Sequence, residues 1–174
     1  MIGKGVYIWK PNKIGSPSDI ARSLKNSGTD FVAIKIVNGT YIYPGLQPYI
    51  TAIRKAGIAV GAWGYVYLRW SPLQEANRTA DAVKLYNPDF YLIDAEAYAK
   101  WQFAPAWIYA KRLRSRLPYM PRGLNSYWYP PYHPSRPWKQ LRSVCNFDAP
   151  QVYWRGYRPK DKLLASKHEY AKMS

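Results

Sequence analysis

The feature that most constrains this chain is a strict alternation of strand-like and helix-like segments along its 174 residues. The first strand is expected at Gly5–Trp9. A helix follows at Pro17–Ser27, with Ser16 as N-cap, Pro17 in the first turn and Gly28 at the end. The second strand is Asp30–Val37, closed by Asn38-Gly39, and a helix over Gln47–Ala56 stops at Gly57. Further units are expected as strand Ile58–Leu68 with a helix from Ser71-Pro72 to Tyr86, then strand Asp89–Asp94 with helix Pro105–Leu117. The fifth strand is Arg122–Trp128, with a short helix near Trp138–Ser143. The sixth is Ala149–Trp154, before a last helix over Lys160–Met173. Such alternation implies parallel strands joined by right-handed crossovers. No Gly-rich phosphate loop follows the first strand, which disfavours a nucleotide-binding open sheet. The expectation is a single α/β domain over 1–174, a TIM-like (β/α) barrel. About six βα units are visible where a closed barrel has eight in roughly 250 residues. The barrel is therefore expected to be open or truncated, lacking its last two units.

Barrel chemistry sits at the C-terminal ends of the strands, so the ten acidic residues can be sorted by position. Asp19, Glu75, Asp81, Asp161 and Glu169 fall on helices or their approaches, and Asp30, Asp89 and Asp148 just before strands. Asp94 and Glu96, in Phe90-Tyr-Leu-Ile-Asp-Ala-Glu, fall at a strand's C-terminal end. A spacing of two puts both on one face. Two close carboxylates split their proton affinities into one donor and one anion, the pair that glycoside hydrolysis uses. The competing reading is that one acid pairs with a buried lysine such as Lys35 while the other is solvated. Aromatic residues make up 17% of the chain, with 8 Trp and 17 Tyr. Trp9, Tyr65, Tyr67, Tyr127, Trp128, Tyr153 and Trp154 fall near strand ends, where flat rings would suit sugar faces. For any single one of them, core or barrel-helix packing is the leading reading.

The formal net charge of +16 predicts attraction to a polyanion. The basic residues concentrate in the C-terminal part, densest at Lys111-Arg112-Leu113-Arg114-Ser115-Arg116. That spacing reads first as a solvated helix face and second as a contact for an anionic polymer. Nucleic acid ranks lowest, since no helix-turn-helix, zinc-finger or RNP-type sequence is present. The lone Cys145 forms no internal disulfide, and His133 and His168 are too far apart in sequence to suggest a metal site. No cofactor is expected. No run is long and apolar enough for a membrane span, and no secretory leader is seen at the N-terminus.

The strands resemble those of glycoside hydrolase family 25, lysozymes that cut peptidoglycan. The matching stretches are Lys4-Gly-Val-Tyr-Ile-Trp, Phe31-Val-Ala-Ile-Lys-Ile-Val-Asn-Gly-Thr and Val60-Gly-Ala-Trp-Gly-Tyr-Val-Tyr. Glu75-Ala-Asn-Arg-Thr-Ala-Asp and Tyr91-Leu-Ile-Asp-Ala-Glu follow in order, and Ala149-Pro-Gln-Val-Tyr-Trp-Arg-Gly fits more loosely. The resemblance implies a wall-acting glycosidase of phage or bacterial type. Glu96 would be the general acid, and Asp94 would stabilise developing charge or orient an N-acetyl group. Tyr7, Trp9, Lys35, Tyr65, Tyr67, Tyr127, Gln151 and Tyr153 would contact substrate. Tyr7 stands where the family carries an aspartate, and the family's acidic residue on its last strand has no counterpart here. A catalytically inactive glycan- or wall-binding barrel, or a structural phage module, is therefore the alternative.

Overall fold

The alternation resolves into six parallel strands in a computed structural model that describes residues 3–153, 156 and 158–173. They are β1 (Gly5–Ile8), β2 (Phe31–Asn38), β4 (Ala59–Tyr65), β5 (Tyr91–Asp94), β6 (Arg122–Asn125) and β7 (Phe147–Asp148), with a short antiparallel β3 (Tyr41–Ile42) beside β2. The order of the six in space is their order in sequence, and every pair among them is parallel. The sheet curls into a half-barrel flanked by helices, the TIM-like architecture expected.

Helices α1 (Pro17–Asn26), α2 (Gln47–Lys55), α3 (Pro72–Tyr86), α4 (Phe103–Arg116), α5 (Trp138–Arg142) and α6 (Pro159–Ala171) connect and flank the strands. Their ends follow local chemistry. The Ser16 hydroxyl accepts the Asp19 amide at 3.2 Å and caps α1, satisfying one of the orphan donors of its first turn. Asn87, in the left-handed region at φ 44°, ends α3.

Strand alternation divides the side chains into two layers. Ile34, Ile36, Ile93 and Leu124 are fully buried in the core cluster shared with the helices. The concave layer holds Phe31, Ala33, Phe90, Leu92 and Phe147. Its floor is built from Gly–Phe neighbours on adjacent strands. A Cβ on Gly5 would sit 2.0 Å from the Phe31 ring, one on Gly61 2.0 Å from Phe90, and one on Gly123 2.3 Å from Phe147. Each glycine thus gives the next strand's phenylalanine room to lie down across the sheet. The three rings meet edge to face, with centroids 5.9 Å and 6.3 Å apart.

Two of the carboxylates expected below the strands tie the lower rim together. Asp30 accepts the Lys4 amide at 2.7 Å and Asp89 the Val60 amide at 2.7 Å, so each secures the entry of the neighbouring strand.

Several expected boundaries need correction, among them the fifth strand, which ends at Asn125 rather than Trp128. The last strand begins earlier, at Phe147. Beyond Asp148 the Ala149 and Gln151 amides still donate to the Leu124 and Ser126 carbonyls, each at 2.8 Å, and the pairing thins to the Tyr127–Gln151 bridge. Asp148 therefore lies within β7 rather than before the strand, and is paired with Arg142 at 2.8 Å. The strand expected over Ile58–Leu68 ends at Tyr65, because Leu68 turns left-handed at φ 63°. The unanticipated β3 folds back on β2 through a two-residue turn in which Gly39 supplies a φ of 59°. Trp154 lies outside the described residues.

Candidate active site

The concave face ends upward in polar and aromatic groups. Period two carries the inward face of β5 from Leu92 to Asp94 and on to Glu96, that of β6 from Gly123 to Asn125, and that of β1 from Gly5 to Tyr7. These residues meet in a cleft of about 380 Å³ lined by Tyr7, Trp63, Asp94, Glu96, Asn125, Pro150, Gln151 and Tyr153.

The two acids lie side by side, as their spacing predicts. The Gln151 side-chain amide donates to Asp94 Oδ1 at 3.1 Å and to Glu96 Oε1 at 2.7 Å. Asn125 also donates to Asp94 Oδ1, at 3.0 Å, and the Tyr153 hydroxyl donates to Gln151 Oε1 at 3.3 Å. Asp94 is 4% exposed and Glu96 half-buried. Burial pushes the Asp94 carboxyl up to about 8, with the Glu96 carboxylate adding to the rise and Lys35 opposing it. At neutral pH the proton therefore rests on Asp94. The Tyr7 hydroxyl is held up to about 12, first by desolvation and then by Asp94.

Lys35 does not form the ion pair considered from the sequence. Among the described residues it has no acidic oxygen within 4.0 Å. Its ammonium instead lies over three rings, 4.6 Å from the Trp63 centroid, 4.9 Å from Trp9 and 5.7 Å from Tyr65. Burial lowers its proton affinity, while Asp94 and Glu96 pull it back up. Lys35, Trp9 and Tyr65 thus form a cationic aromatic wall beside the acid pair.

Tyr67 and Tyr127 sit farther along the rim. Tyr67 receives a hydrogen bond from Asn38 Nδ2 at 2.9 Å. Tyr127 stacks on His133 at 3.8 Å with the Arg136 guanidinium 5.2 Å from its centroid. Sequence patterning passed over Trp63, Asn125 and Pro150. Trp63 lies two residues before Tyr65, and Asn125 two after an inward glycine, so the alternation that located Asp94 would have found both. No group of three or more His, Cys, Asp or Glu among the described residues is placed to hold a metal ion.

No protein-family model and no characterised protein sequence matches the chain. Solved structures do match its fold. The modular autolysin LytC from Streptococcus pneumoniae superposes with a TM-score of 0.58 at 18% identity, over 72% of this chain and 34% of LytC. The spore cortex-lytic enzyme SleL from Bacillus megaterium gives a TM-score of 0.69 at 12% identity, over 96% of this chain and 48% of SleL. The carboxyl transferase domain of Rhizobium etli pyruvate carboxylase gives 0.61 at 12% identity, over 97% of this chain and 34% of that one. The chain thus spans less than half the length of each. The sequence resemblance to wall lysozymes reappears as a likeness of fold to lytic enzymes, and the carboxyl transferase shows that this fold also carries other chemistry.

Proposed function

We propose that the chain is a glycoside hydrolase acting on peptidoglycan or a closely related amino-sugar polymer. The observation that carries this reading is the Gln151 amide touching both carboxylates at the top of β5. Two oxygens that share one donor are too close for the separation of about 6.5–9.5 Å in which inverting enzymes house a water. The pair therefore suits retention of configuration.

The proton on Asp94 is the reserve from which Glu96 is charged. When a glycan displaces water, a proton held by the acid pair passes to the leaving oxygen, with Glu96 as the proposed donor. The Asp94 anion left behind keeps the Asn125 and Gln151 donors and faces the positive charge that develops on the sugar, until water adds to the anomeric carbon, gives up its proton to the pair and completes the hydrolysis. Lys35 favours that anion. The fold neighbours support the substrate class, since LytC has been crystallised with a synthetic peptidoglycan ligand. Phage or bacterial wall lysis is the setting this suggests.

Turbidity clearing of purified cell walls tests the proposal. Glu96→Gln is expected to lower the rate by roughly 10²–10⁴-fold, the usual contribution of a positioned acid. Undiminished clearing by that variant would remove Glu96 from its role. Tyr7 supports a second reading, a barrel that binds walls without cutting them, because it stands where the resemblance expects an aspartate. Sedimentation with walls in the absence of clearing would establish it.

A further inference from the structure

The loop between β4 and α3 is held by a device that the acid pair does not require. Glu75 is 3% exposed, yet it makes no ion pair within 4.0 Å among the described residues. Its two oxygens accept the backbone amides of Tyr67 at 2.9 Å and Leu68 at 3.1 Å. Leu68, fully buried, takes the left-handed conformation at φ 63°. A branched side chain in that region costs energy, and a buried carboxylate costs more. Such expenditure fits a loop whose shape is used.

What this shape presents is a continuous aromatic surface. Tyr65, the sheet neighbour of Asp94, has its ring 5.0 Å from Tyr67 and 6.3 Å from Tyr98. Tyr67 in turn lies 5.2 Å from Tyr98 and 5.7 Å from Trp70. The rings become more open away from the acids, until Trp70 is 76% exposed. Arg69 stands over Tyr98, 5.3 Å from its centroid. The Tyr67 ring is further fixed by Asn38, and by Gly39, where a Cβ would come within 2.9 Å of it. Flat apolar faces with hydroxyl and N–H groups at their rims match a sugar ring, apolar on its faces and hydroxylated at its edge.

We propose that Tyr67, Trp70 and Tyr98 form a second sugar-binding subsite, which holds the part of a glycan chain running outward from Glu96. This rests on the glycan reading above and adds that the protein prefers long strands to short ones. The site requires no change in shape on binding, because Glu75 has already set the loop.

The test is binding in a Glu96→Gln background, so that no ligand is cut, with soluble peptidoglycan hexasaccharide and disaccharide as probes. Trp70→Ala and Tyr98→Ala are each expected to weaken hexasaccharide binding about tenfold, near the upper worth of a single aromatic contact. Disaccharide binding should be unchanged. Tyr119→Ala, at a ring 95% exposed near the strand entries, is the control and should bind both as the parent does. Trp70 is exposed enough that its variant should unfold at the parent's temperature. Equal loss for both probes would place the rings within the cleft and overturn a separate subsite, as would no loss for either. If the parent binds neither probe, the glycan reading itself falls and the subsite with it.

Discussion

On the glycosidase reading proposed above, Asp94 would join catalysis to stability through a single proton. Its carboxyl lies near 8 in the folded chain and near 3.8 when unfolded, so between those values the folded state binds more protons. The stability that this group contributes is therefore fully present below about pH 4 and is lost as pH rises to about 8. Asp94→Asn removes the ionisation and keeps the shape. It should raise the melting temperature over the parent by an amount growing from pH 4 to 8, as the stability difference reaches on the order of a few kcal/mol, with wall clearing abolished. A melting series across pH checks the first part; a gap that does not change with pH would mean that Asp94 holds no extra proton. The parent's activity should decline above about pH 8, as the reserve proton leaves.

Glu75 operates at the scale of an element. Glu75→Ala strips two buried amides of their acceptor, at about 1–3 kcal/mol each, and Glu75→Gln keeps one acceptor and loses about half as much. Denaturant unfolding should rank them in that order. The sequence placed Glu75 on a helix and gave it no task, since the loop amides it serves are seven and eight residues upstream. Local patterning did disclose α1 and α3, because Ser16, Pro17, Pro72 and Asn87 act within one turn of themselves. It also disclosed Asp94 and Glu96, because period two is fixed by the strand alone. Gln151 could be named as a contact, but its bridge between the acids could not be foreseen, because it depends on the register of its segment against β5 and β6, which local patterning does not supply. Lys35 was legible as a buried lysine, but its partners are rings from two other strands.

The whole molecule combines a strong positive charge with a concave acidic site. We expect retention on an anionic matrix at low salt and release as salt approaches 1 M, where screening acts within about 3 Å. Catalysis should respond less, because the partly buried pair is poorly screened. Clearing rates measured against cell walls and against a neutral soluble glycan over the same salt range would separate the two effects. Equal salt dependence on both substrates would mean that the surface charge has no role in capture. Among the described residues no helix is long and apolar enough to cross a membrane.

The Gly–Phe floor has an evolutionary consequence. Gly5 with Phe31, Gly61 with Phe90 and Gly123 with Phe147 are each one volume shared by two positions. Gly61→Ala alone should cost about 1–3 kcal/mol or more by overpacking, and Phe90→Leu alone should leave a void. Together they should lose less than the sum of the two. Diverging chains of this kind should accordingly change these positions in pairs. Three such couplings, between positions 24–29 residues apart, would write the curl of the sheet into the pattern of substitutions itself.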